Sequence, residues 1–492
     1  MKTVLAIDQG TTGSTSMVFA QDGTVLGRGY REFTQHFPEP GWVEHDAEEI
    51  WQRTLEATRD ALGQSGTTPT AVGIANQRET IVAWDRHTGE PLHRALVWQD
   101  RRTSQRCREL RGALGEEYIA RRTGLVWDPY FSATKIEWLL QNVPDLAARA
   151  AGGDAVFGTI DAWLVYRLTS GAAFVTDHTN ASRTLVYNID ERAWDSDLLD
   201  LFGIPAIALP DVHASSEVVG VVDGSHLGFE APIAGMAGDQ QAALYGQGCW
   251  MPGQAKCTYG TGAFLLMHVG ERPAAGRPSG GVLTTIACNS VGAPAIALEG
   301  SIFIAGAAVQ WLRDGLRIIE SPEETEAMAR SVEDTGGVYF VPAFVGLGAP
   351  YWEPEARGTV VGLTRGTTRE HLVRASLEAM AFGTRDVATA MSGVAETPLV
   401  SMKVDGGAAA NDWLMQFQAD LLGVPVARPD VIETTALGAA GLAGLAAGVW
   451  ASPEEFAASR NYQDFHPENQ PEGAYAGWQR AVRAALRWAQ DR

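Results

Sequence analysis

Two stretches of this chain read alike although about 250 positions separate them. VLAIDQGTTGSTSMVFA, from Val4, and AKCTYGTGAFLLMHVG, from Ala255, are each an apolar strand, a turn of glycine and threonine, and a second apolar strand. Such a repeat predicts a degenerate internal duplication, so the chain should fold as two similar α/β lobes. A length of 492 residues leaves room for more than one domain with a large core. We expect the lobes to divide as residues 1–247 and 248–492, meeting at a central cleft.

Other segments fill in the lobes. Asp22-Gly23 is a hairpin signal after the first strand pair. A helix should start after Asp46, with Glu49 completing a capping box, Ile50, Trp51, Leu55 and Leu62 forming the apolar face and Gly63 ending it. Strands AVGIANQ and TIVAWD flank Arg78 and Glu79, which places a charged pair at a strand end, where open α/β sheets bind ligands. SMKVDGG reads as a strand running into Gly406 and Gly407, followed by a helix with Trp413, Leu414, Phe417 and Leu421 on one side. A helix N-terminus beside paired glycines suits a nucleotide. FVPAFVGLGAPYWEPEARG, from Phe340, reads as an ordered surface loop.

Composition removes several classes of function. With 38 basic and 59 acidic side chains the net charge is −21, which opposes non-specific contact with nucleic acid or anionic membranes. No apolar run reaches the roughly 20 residues that span a bilayer. Cys107, Cys249, Cys257 and Cys288 show no zinc spacing and fit a reducing cytoplasm.

The chemistry concentrates at mid-chain. Asp239, in GDQQ, has no basic neighbour in sequence and precedes Gly260-Thr261-Gly262 by about twenty positions. A carboxylate that accepts a proton beside a turn offering backbone N–H groups to phosphoryl oxygens fits phosphoryl transfer. The GxxxxGK[ST] pattern of P-loop enzymes is absent. Either glycine-threonine turn alone is equally a structural hairpin, and Arg78-Glu79 alone is equally a solvated turn pair.

Taken together, these segments resemble the FGGY carbohydrate kinases, within the actin-like ATPase superfamily, from AIDQGTT to TTALGAAGLAGL. YFSATKIEWLLQN and GTVVGLTRGTTREHLVRASLE match long family patterns, and NQRET, VWQDRR and GDQQAALYGQ resemble the members that act on glycerol. The resemblance implies two ribonuclease H-like domains around a cleft, and ATP-dependent phosphorylation of glycerol, with another small polyol or a ketose as the alternative. It implies that Arg78, Glu79, Tyr130, Asp239 and Gln240 contact the polyol, with Trp98 and Phe264 against its carbons. Asp239 would be the general base and Asp8 the carboxylate nearest Mg²⁺. The nucleotide would meet Thr11, Thr12, Gly13, Thr261, Gly306, Gln310, Gly407 and Asn411. A homodimer or homotetramer is also implied. A nucleotide-switched interaction protein is disfavoured, because it would leave Asp239 and Arg78-Glu79 without a purpose. One departure stands out: the family arginine of the first turn falls on Thr15, with Gly13 replacing a serine, so a cation near the phosphates is missing or supplied elsewhere. The loop VVDGSHLGFEAP also lacks the family's regulatory Gly-Thr-Arg, which argues against that control.

Overall fold

The computed structural model describes residues 2–271, 281–431 and 433–490. Strands β1 (Thr3–Gln9), β2 (Gly13–Ala20) and β3 (Val25–Glu32) form an antiparallel meander, and helix α1 (Ala47–Ser65) returns the chain to β4 (Ala71–Asn76), parallel to β1. β1 and β2 are buried almost throughout, and side-chain alternation along β2 turns Ser14 and Ser16 to α1, where their hydroxyls bond Thr54 at 2.9 Å and Thr58 at 2.8 Å. Asp46 caps α1 by accepting from the N–H groups of Glu48 and Glu49. Two local expectations fail here. The Glu49 carboxylate turns to Thr34 instead of closing a capping box, and the helix runs past Gly63 to end at Gly66, whose φ of 60° stops it.

After β4 the chain crosses to a smaller sheet, where β5 (Ile81–Asp85) pairs with β6 (Ala155–Thr159). Arg78 and Glu79 therefore lie in the passage between two sheets. The short helix α2 (His178–Ala181) follows, and β7 (Ser216–Val221) and β8 (Pro232–Gly238) complete the first large sheet in the order β7-β8-β4-β1-β2-β3. Helix α3 (Asp239–Gly246) starts directly from β8.

The second half repeats this plan. Strands β9 (Gln254–Tyr259) and β10 (Ala263–Gly270) form the hairpin, β11 (Leu283–Cys288) and β12 (Pro294–Ile302) extend it, and helix α4 (Gly306–Asp314) follows. After the long helix α5 (Arg369–Ala395), β13 (Ser401–Asp405) enters parallel to β9. Then come α6 (Asp412–Leu422), β14 (Val426–Pro429), α7 (Thr434–Ala446) and the edge strand β15 (Tyr462–Phe465). The order is β11-β12-β10-β9-β13-β14-β15, so β3-β2-β1-β4-β8 in one half matches β12-β10-β9-β13-β14 in the other. The duplication read from the sequence is thus present in topology.

Helices α3 and α7, which follow equivalent strands, face each other between the halves. Gly438 permits this, because a Cβ there would come 1.8 Å from the Ala242 carbonyl. Alanines of α7 (Ala436, Ala439, Ala440, Ala443) pack with Val4, Ala6, Met17 and Ala71 on the first sheet. The segment from Phe340 is less superficial than expected: Val345 and Trp352 are exposed, but Val341, Ala343, Ala349 and Ala356 are buried and anchor it. All four cysteines are free and buried. Among the described residues no helix is long and apolar enough to cross a membrane.

Candidate active site

The charged pair from the strand end is enclosed: Arg78 is 3% and Glu79 1% exposed, which excludes a solvated turn. Glu79 sits at φ 61°, a left-handed conformation that a non-glycine residue adopts only when its surroundings impose it. Arg78 distributes its donors widely. Its Nη1 bonds Glu299 at 2.5 Å and Gln241 at 3.3 Å, its Nη2 reaches the Tyr130 hydroxyl at 3.5 Å, and its Nε lies 3.2 Å from Asp239 Oδ1. Asp239 has no basic neighbour in sequence, but the fold supplies one. Arg183, fully buried, donates to Glu79 at 2.6 Å and to Glu299 at 2.9 Å. Burial opposes ionisation of Glu299, yet Arg183 and Arg78 together hold its carboxyl down to about 2.

Aromatic residues form the adjacent wall. The rings of Trp98 and Tyr130 meet edge to face at 5.5 Å, and Trp98 Nε1 donates to Thr11 Oγ1 at 2.9 Å. Thr11, expected on the nucleotide, therefore also fastens the Trp98–Tyr130 wall. Phe264, half-buried on β10, pairs with Thr258 of β9. Gln240 is at the first turn of α3; its side-chain carbonyl accepts from the buried Lys256 ammonium, which also bonds Thr258 Oγ1 at 2.9 Å. Lys256 is pushed down by burial, with Asp405 and Asp239 opposing.

Asp8, at the end of β1, is pushed up to about 7, first by burial and then by the facing charge of Asp239. Two carboxylates that repel each other across a gap form a place that a divalent cation would stabilise. Among the described residues no group of three or more His, Cys, Asp or Glu side chains is placed to hold a metal ion.

The turns of the second half converge. Gly260 and Thr261 are exposed, and their carbonyls accept from the N–H groups of Gly306 at 3.0 Å, Ala305 at 2.8 Å and Ala307 at 3.1 Å, locking the turn to the start of α4. The reason for glycine at position 306 is thus internal: a Cβ would come 2.6 Å from the Gly260 carbonyl. Gln310 is exposed on α4. Gly406, at φ 85°, lies against Tyr259, whereas Gly407 faces open space. Asn411 caps α6 by accepting from Leu414 N at 2.9 Å, after a short 3₁₀ turn at Gly407–Ala410 that the sequence reading did not foresee.

In the first turn Thr12 is exposed, while Gly13 is covered by Tyr30, whose ring a Cβ would meet at 2.6 Å. Thr15 pairs with Asp8 on one side and Tyr30 on the other. Arg28, two residues from Tyr30 on the same strand, forms an ion pair with Glu433 at 3.5 Å.

Sequence reasoning missed Arg183, Glu299 and Lys256. The last two did carry a signal, each being a lone charge in an otherwise apolar strand, PAIALEGSI and QAKCTY. Arg183, in a loop after α2, carried none.

The fold and its cleft-lining turns define a two-lobed phosphotransferase of the actin-like ATPase type. The chain belongs to the FGGY family of carbohydrate kinases: the model of the family's N-terminal domain matches residues 3–246 and that of its C-terminal domain residues 255–447. It is 54% identical to a glycerol kinase of Carboxydothermus hydrogenoformans, covering 99% of both chains, and 54% identical to a glycerol kinase of Halorhodospira halophila, covering 99% of this chain and 97% of that one. Among solved structures, Plasmodium falciparum glycerol kinase with ADP superposes with a TM-score of 0.94 at 36% identity, over 99% of this chain and 98% of that one. A ligand-bound xylulose kinase from Lactobacillus acidophilus shares the fold, with a TM-score of 0.88 at 21% identity over 100% of this chain and 98% of that one.

Proposed function

We propose that this chain is a glycerol kinase, transferring the γ-phosphoryl group of ATP to glycerol to give sn-glycerol 3-phosphate. The observation that carries the reading is Asp239 at the start of α3, with Arg78 Nε 3.2 Å from its Oδ1. Full-length relatives named glycerol kinase at 54% identity support the substrate.

Glycerol would lie between the Trp98–Tyr130 wall and Phe264, its hydroxyls meeting Arg78, Glu79 and the amide of Gln240. Asp239 takes the proton of the attacking hydroxyl as the new O–P bond forms and the bond to the bridging β–γ oxygen breaks, releasing ADP. Thr261, Gly306, Gln310, Gly407 and Asn411 would hold the nucleotide from the second half, with Thr11, Thr12 and Gly13 opposite. Asp8, with Asp239 facing it, would hold Mg²⁺, which when bound neutralises charge on the phosphoryl oxygens. Phosphoryl transfer depends mainly on such positioning.

We also place the domain boundary at residues 247 and 248, and the protein in the cytoplasm as a homo-oligomer; four free, buried cysteines support a reducing compartment. The test is a polyol and ketose panel in a coupled ADP assay. Glycerol should give the highest kcat/KM, and a pentulose or another polyol in first place would replace this reading.

A further inference from the structure

Glu299 belongs to β12, a strand of the second sheet, yet both of its partners come from the first half. Arg78 Nη1 and Arg183 Nη2 donate to its two oxygens at 2.5 and 2.9 Å, while Glu79 accepts from Arg183 and lies 3.9 Å from Arg78. Four buried charges thus alternate around a ring of zero net charge, closed by one residue from across the lobe boundary. A guanidinium is planar, so fixing one Nη fixes the directions of its other edges. In Arg78 those edges face Asp239 and Tyr130, the proposed base and a proposed polyol contact. Seven residues beyond Glu299, the same stretch of chain delivers Gly306 to the turn at Thr261.

We propose that Glu299 is a positioning residue for the polyol: from the second half it sets the plane of Arg78, and so ties polyol capture to the strand that leads to Gly306 and, through it, to the turn at Gly260–Thr261. The inference rests on the phosphotransfer reading above. A ring kept only for stability fits the geometry less well. Buried ion pairs add little net stability over apolar packing, and Arg183 Nη1 is buried without a hydrogen-bond partner among the described residues, so the ring is not fully satisfied.

The test is steady-state kinetics of the full-length Glu299→Gln and Glu299→Asp variants with the best polyol of the wild-type panel, alongside thermal unfolding. Glu299→Gln should raise the polyol KM by about 10- to 100-fold, while the KM for ATP moves less than about threefold. Glu299→Asp, which keeps the charge, should recover part of that loss. Parallel losses for polyol and ATP, or a lower Tm with unchanged polyol KM, would overturn the proposal. If Glu299→Gln gives no cooperative unfolding transition, Glu299→Asp decides by the same criterion, a polyol-selective loss supporting the role and an even or absent loss refuting it. Wild-type turnover of a different polyol would correct the functional reading and leave this test in force on that polyol. A wild type that neither turns over nor binds any polyol would overturn both.

Discussion

The two walls of the cleft are built by different means. On the wall proposed for the polyol stand side-chain charges, Arg78, Glu79, Arg183 and Glu299, all buried and already paired. On the wall proposed for the nucleotide stand backbone turns at Gly260–Thr261 and Gly406–Gly407, held by main-chain hydrogen bonds, with Gly260, Thr261 and Gly407 exposed. A small triol offers few contacts, so its site must be rigid before it arrives; a triphosphate brings its own charge, and N–H groups with an ion suffice.

That contrast can be broken at several points. The largest effect should come from Asp239→Asn, which keeps the shape but not the proton acceptor: kcat should fall by roughly 10²- to 10⁴-fold, and a variant that keeps wild-type kcat in the coupled assay removes Asp239 from the chemistry. Glu79→Gln comes next. It leaves Arg183 short of one partner, so the polyol KM should rise on the order of 100-fold with the KM for ATP nearly constant, and equal shifts in both would erase the distinction between the walls. On the opposite wall Gly306→Val should do the reverse, since its Cβ forces the α4 start away from Gly260. A nucleotide KM raised about tenfold, with calorimetric polyol affinity intact, is the expected result.

Asp8 gives a pH-dependent test at the seam between the walls. Its carboxyl is raised to about 7, so from about pH 4 to pH 7 the folded state holds a proton that the unfolded state has lost, and stability falls as pH rises. Bound Mg²⁺ would offset that loss. Mg²⁺ should therefore raise Tm more at pH 8 than at pH 5.5, and Asp8→Asn should remove the difference; a shift independent of pH would detach Asp8 from the ion. The smallest effect is reserved for Thr15→Arg. If a cation is missing at the first turn, nucleotide affinity and kcat should improve a few-fold; unchanged kinetics would show that the turn, with Tyr30 over Gly13, does not need it.

How much of this was visible in the sequence follows from how local each signal is. The two strand–turn–strand units, the Asp46 cap and the strand-end position of Arg78-Glu79 are written within a few consecutive residues. Periodicity was enough to find them. The end of α1 was misplaced because Gly63 has no backbone reason to stop a helix, whereas Gly66 turns left-handed. Glu299 and Arg183 escaped because their meaning lies in a contact across 116 positions. Lys256 was passed over as part of a strand, although a lone ammonium in QAKCTY has to find buried acceptors, and it does so at Gln240 and Thr258.

The seating of α7 on the first sheet also bears on how the protein is made. Val4, Ala6, Met17 and Ala71 are covered by a helix that ends at Ala446, 200 residues after α3 ends at Gly246. At about 5 to 20 residues per second, translation leaves that apolar face without its cover for roughly 10 to 40 s. The apolar face of the first sheet thus depends for its cover on a helix that the ribosome makes long after the sheet itself.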